Sequence, residues 1–167
     1  MTSIRRRIMM KDPSQAIDQW IAEGHPFGQL GNGVIFCSSE KDVNLYMRII
    51  ETGTFPPYDR VRAFNGSVSY RTGSLAKLDV MPIRSTQDVS HLAPKRWPFM
   101  VFHNPAAWPD RTPIRLLLPY LSPAIGAHTT LVSVGTELAS LPDMNGPDTP
   151  KPKEIDWMAI TRAISNG

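Results

Sequence analysis

The single cysteine, Cys37, closes the apolar run Val34, Ile35, Phe36 and stands just before Ser38 and Ser39, which open a helical pattern. A thiol at a helix start feels the positive end of the helix dipole, which favours the thiolate, but it needs a neighbouring base to act as a nucleophile. The histidines available are His25, His91, His103 and His128, and local spacing ties none of them to Cys37. Cys37 is therefore read as a core residue, and no catalytic residue is assigned. Metal chemistry has no better footing, because the sequence contains no His-x-x-x-His or His-Glu-x-x-His pair, so no metal ligands and no cofactor are expected. Gly28, Gly31 and Gly33 precede a strand instead of opening a helix after one, which is the wrong order for a phosphate loop. Leu131 to Gly135 is half of a nucleophile elbow, and serine in a strand explains it adequately.

Such residues would have to be positioned by a chain of 167 residues, enough for one domain that buries roughly 70% of its unfolded surface. Apolar residues make up 41% and charged residues 20%, which excludes a disordered chain. No apolar run approaches the ~18 residues of a membrane span, and Ile8, Met9 and Met10 after Arg5, Arg6 and Arg7 are too few for a signal peptide, so a soluble, cytoplasmic protein is expected.

Asp12-Pro13 followed by Ala16, Ile17, Trp20 and Ile21 predicts a capped amphipathic helix that stops at Gly24. Gly33 and the run to Cys37 predict a buried strand. Ser39 with Asp42, then Val43, Tyr46, Met47 and Ile50, predict a second helix that ends at Gly53. Strands over 61–64 and 67–71 flank Asn65-Gly66, a hairpin turn, and further strands are predicted over 75–83, 98–103 and 128–135. Thr112-Pro113 caps a short helix that Pro119 cuts off. The expected fold class is α+β: a single domain with a mainly antiparallel sheet of about five strands, two N-terminal helices and one C-terminal helix. The core domain spans 1–141, a proline-rich linker 142–153, and a terminal helix within 154–167 that packs on the core.

Charge is unevenly spread. Residues 1–11 hold four basic groups and no acid, 12–59 are net acidic, and 60–115 hold nine basic groups against three acids. A basic face would attract acidic partners, unless the acidic helices pack beside it and cancel it. The segment 94–123 holds seven prolines together with Arg96, Trp97, Trp108, Arg111 and Arg115, the residue types that most often anchor protein interfaces, on a stiffened backbone. This points to a small non-enzymatic protein that binds and modulates, in the sense of inhibiting, a protein partner of unknown identity, as accessory factors of bacterial mobile elements do. An alternative is nucleic-acid binding by Arg60, Arg62, Tyr70, Arg71 and Arg84, with the arginines meeting phosphates and the tyrosine stacking on bases.

A third reading comes from a resemblance. Gly31-Asn32-Gly33-Val34-Ile35-Phe36, Ser38-Ser39, Val43 and Tyr46 are similar to the glycine-strand-serine-helix element of ADP-ribosyltransferase-type folds. The resemblance covers about 20 of the 167 residues. It implies an arginine from an earlier strand, Arg5, Arg6 or Arg7, and a later glutamate, Glu137.

Overall fold

The computed structural model describes residues 5–24, 32–62, 64–72, 76–92, 97–122 and 129–138. The linker 142–153 and the helix expected beyond it lie outside these residues. The elements run β1 (Arg5–Met10), α1 (Pro13–Ala22), β2 (Gly33–Cys37), α2 (Glu40–Thr52), β3 (Tyr58–Arg62), β4 (Val68–Thr72), β5 (Lys77–Pro82), α3 (Thr86–Ser90), β6 (Phe99–His103), α4 (Thr112–Leu117) and β7 (Thr129–Val134).

The helix starts follow local chemistry. At α1 the Asp12 backbone N–H donates to Gln15 Oε1 at 3.1 Å, and Pro13 occupies the first turn, where its missing N–H costs nothing. At α2 the Ser39 hydroxyl oxygen accepts the Asp42 backbone N–H at 3.3 Å. The hairpin of β3 and β4 turns through Asn65 at φ 64° and Gly66 at φ 83°, the left-handed pair that this dipeptide accommodates with least strain.

All strands join one mixed sheet of seven, in the order β1-β7-β6-β2-β5-β4-β3. The first five in that order are mutually parallel; β4 pairs antiparallel with both β5 and β3, so it alone runs against the other six. This corrects the expected five-stranded, mainly antiparallel sheet. The α+β single-sheet description survives; the direction of pairing does not. The physical reason lies in the crossovers. Parallel strands need crossover connections, but α3 has 5 residues and leaves no periodic pattern in the sequence, and α4, expected there as a short helix, has 6, too few to announce a crossover. The strands themselves carry the parallel signature, since β2 and β7 are buried along their whole length and so are covered on both faces.

Two cores result. One side of the sheet packs Ile35, Leu78, Val80, Val101 and Val132 against Ala16, Ile17 and Trp20 of α1 and Val43, Tyr46 and Ile50 of α2. The other packs Val34, Phe36, Met100, Phe102 and Leu131 against Val89 of α3 and Ile114 and Leu117 of α4. Gly33 is required at the start of β2, because a Cβ there would sit 2.6 Å from Trp20 Nε1. Among the described residues no helix is long and apolar enough to cross a membrane.

Candidate functional site

The residues expected to bind a partner are not assembled into a docking loop. Trp97 is 0% exposed and Trp108 2% exposed, both within the core beneath α3 and α4. Trp97 meets Phe36 edge-on at 5.7 Å between ring centroids and donates its Nε1–H to Asp79 Oδ2 at 3.2 Å. Trp108 packs on Phe102 at 5.8 Å and donates its Nε1–H to the His103 carbonyl at 2.8 Å. Trp97, just before β6, and Trp108, between β6 and β7, thus help to cover one face of the sheet, and neither indole points outward as the docking loop required. Truncating either ring to Ala is expected to cost about 3–5 kcal/mol of fold stability. Arg111 is half-buried and donates to the Ala106 carbonyl at 3.2 Å, and Arg115 lies on α4; Arg96 falls outside the described residues.

The basic middle segment is also dispersed. Tyr70 is buried with its ring edge-on to Tyr58 at 5.0 Å, so it offers no stacking face to a base. Arg60 and Arg71 belong to adjacent antiparallel strands and project to opposite faces, since Arg60 is paired with Tyr70 and Arg71 follows Tyr70. Arg60 Nη1 donates to Glu51 Oε1 at 2.9 Å, and Arg84 Nη2 donates to Glu40 Oε1 at 2.6 Å. The acidic helix α2 therefore cancels much of the neighbouring positive charge. For Arg62 only the backbone, in β3, is described. The arginines and serines of the transferase-like resemblance are likewise parted: β7 and β6 stand between β1, which carries Arg5, Arg6 and Arg7, and β2, which leads to Ser38 and Ser39.

One polar cluster does form, at the carboxyl end of the sheet. The chain leaves β2 and β6, which are neighbours, toward opposite faces, the arrangement at which open α/β sheets place ligand sites. There the Tyr46 hydroxyl lies 2.9 Å from His103 Nδ1, His103 Nε2 lies 3.7 Å from Asp42 Oδ1, and the Ser39 hydroxyl is 3.2 Å from Asp42 Oδ2. Burial pushes the His103 pKa down, with Asp42 opposing, so the imidazole is held neutral. Burial likewise pushes the Tyr46 phenol up, so it stays protonated and donates to Nδ1. The aspartate stands between serine and histidine, the wrong order for an imidazole to take the serine proton. Cys37, close by, is buried with its thiol raised well above the usual range, first by desolvation and then by Asp42, so it is a protonated core residue. Residues 46 and 103 meet only through the tertiary fold, and nothing in their local sequence announces the contact.

The surface that sequence reading overlooked is β1. Residues 5–10 register in composition as a basic run, yet they form an edge strand paired on one side with β7. Met10 accepts the Gly135 N–H on its carbonyl at 2.8 Å, so Met10, and by alternation Ile8, turn their backbone groups toward β7. Arg7 and Met9 accordingly turn their N–H and C=O groups to the side where no described strand pairs with β1. Beside this edge, a groove of about 540 Å³ runs between β1 and α1, lined by Ile8, Met10, Lys11, Gln15, Gln19 and Ala22 among others. Met9 is 44% exposed. The available signal was Asp12-Pro13: a helix that starts there leaves the preceding Ile8-Met9-Met10 to another element.

No protein-family model, curated protein or solved structure matches the chain. Its function is therefore argued from its own surfaces.

Arg7 adds a chemical demand to this edge. Its Cα pairs with Leu131, which packs on the α3 and α4 side, so Arg7 and Met9 project to that side while Ile8 and Met10 face α1. Both terminal guanidinium nitrogens, Nη1 and Nη2, are buried with no hydrogen-bond partner among the described residues, and Thr129 Oγ1 on the same side of β7 is buried and unpartnered too. Burial lowers the Arg7 pKa, and the Glu137 carboxylate opposes that shift.

Proposed function

We propose that the protein is a non-enzymatic module that binds and modulates a protein partner, and that docking occurs by addition of an extended partner segment to β1. The carrying observation is the edge of β1 that no described strand pairs, where the Arg7 and Met9 backbone groups face outward beside the α1 groove. An added strand gains main-chain hydrogen bonds from such an edge and specificity from alternate side chains. The bare edge is also the kind of surface that proteins otherwise blunt with charge, proline or a covering segment. The imidazole at the carboxyl end, engaged on one nitrogen and facing Asp42 with the other, favours a structural reading of that cluster over a catalytic one.

The test is capture of partners from an extract of the native host by the full chain, compared with two variants. In Met9→Pro, the outward N–H is removed while the β7 ladder, which does not use it, is kept. Val61→Lys alters the opposite edge. Proteins retained by the wild type and by Val61→Lys but lost with Met9→Pro are expected. Retention of the same set by Met9→Pro would overturn docking at β1.

A further inference from the structure

This inference rests on strand addition at β1 and concerns what the added strand must carry. An ionised guanidinium buried without hydrogen bonds is costly, and truncating or neutralising one partner of a buried pair shows how large that cost is. Arg7 nonetheless sits on an exposed-edge strand, half-buried as a residue, with its backbone facing the space where a neighbouring strand would lie. A residue opposite Arg7 on that strand projects to the same side of the sheet, within reach of a side chain with four rotatable bonds.

We propose that the segment docking on β1 is an extended chain with a carboxylate side chain opposite Arg7, gripped by Nη1 and Nη2 as a fork, with apolar neighbours covering Met9. A carboxylate supplies two acceptors in the plane that a guanidinium fork requires, a match that neutral amides do not make. Charge selects the same partner. Residues 1–11 carry Arg5, Arg6, Arg7 and Lys11 with no acid, so a second copy pairing through β1 would bring together two such cationic strands, whereas an acidic segment is complementary. Among the described side chains the other edge offers no equivalent, because Arg60 there is already engaged by both oxygens of Glu51.

The test uses the full chain and two fluorescein-labelled octapeptides of alternating threonine and valine, one with a central glutamate and the other with glutamine in its place. Binding is read by anisotropy, and backbone amide exchange at Met9 reports whether the peptide lies along the edge. The glutamate probe is expected to bind about tenfold more tightly than the glutamine probe and to protect the Met9 amide, and the preference is expected to vanish in Arg7→Met. Arg7→Lys keeps charge without the fork and should retain only part of the preference. Equal binding of both probes with Met9 protected overturns the carboxylate and leaves strand addition standing. Preference for glutamate without Met9 protection marks general ionic attraction and overturns the proposal. No binding of either probe at millimolar concentration overturns strand addition itself. A dimer by light scattering that neither probe displaces and that Met9→Pro dissolves assigns β1 to a second copy instead, which also overturns it. Circular dichroism and thermal unfolding of Arg7→Met confirm that the fold is kept.

Discussion

The two edges of the sheet solve the same problem in opposite ways. On β3, Asp59 and Arg60 put both signs of charge on the exposed strand, and Glu51 of α2 satisfies Arg60 through both oxygens while also accepting the Tyr70 hydroxyl at 2.6 Å. The carboxylate there raises the Arg60 pKa, chiefly through that hydrogen bond. On β1, Arg7 has its terminal nitrogens buried without hydrogen-bond partners among the described residues, and it is followed by Ile8, Met9 and Met10. At the β3 edge the charge of Arg60 is answered from within the chain. At the β1 edge the terminal nitrogens of Arg7 are not, among the described residues, and that difference is what the proposed strand addition would use.

The contrast predicts opposite signs for changes made at the two ends. Glu51→Ala should have the largest effect, because it leaves the Tyr70 hydroxyl without its acceptor; a loss of about 2 kcal/mol is expected, read as a fall in Tm of roughly 4–8 °C. Arg7→Met should do the reverse, raising stability by about 1 kcal/mol, because it removes two buried guanidinium nitrogens that have no hydrogen-bond partner among the described residues; a lower urea midpoint than wild type would erase the distinction between the edges. Thr129→Val should stabilise by up to ~0.5 kcal/mol for the same reason on a neutral scale, checked by the same titration.

The middle of the sheet supplies a control that belongs to neither edge. The fold holds His103 below its ordinary pKa, with Tyr46 and Asp42 facing the ring, so the unfolded chain binds the proton more readily. Stability should therefore fall as pH drops below the unfolded value of about 6.5 and level off once the folded group is also protonated. His103→Gln should remove this component from the difference in urea midpoint between pH 7.5 and pH 5. Smallest of all is Arg60→Met, an exposed pair whose loss should leave Tm unchanged within error while the same substitution at position 7 does not.

Much of the first half of the fold is legible in the sequence because its signals are local. Ser39, Asp42 and the spacing of Val43, Tyr46 and Ile50 define α2, and Asn65-Gly66 defines the hairpin. The second half is not, for reasons of range. α3 and α4 are shorter than two turns, so parallel crossovers look like loops, and strand direction is lost with them. Trp97 and Trp108 illustrate a different limit: tryptophan bracketed by proline has the composition of an interface anchor and of a core lid alike, and only packing separates the two. The candidate edge was hidden because Arg5, Arg6 and Arg7 register as charge before they register as strand. Its partnerless nitrogens are a property of burial that no spacing reveals.

β1 is made well before β7, yet residue 5 pairs with residue 129 and residue 10 with residue 134. During synthesis on a ribosome it emerges long before β7 exists, and its ladder closes one of the longest loops in the molecule, a slow step by loop-closure entropy. For that interval both sides of the strand are bare, so a segment able to pair with β1 can engage the nascent chain as well as the finished one.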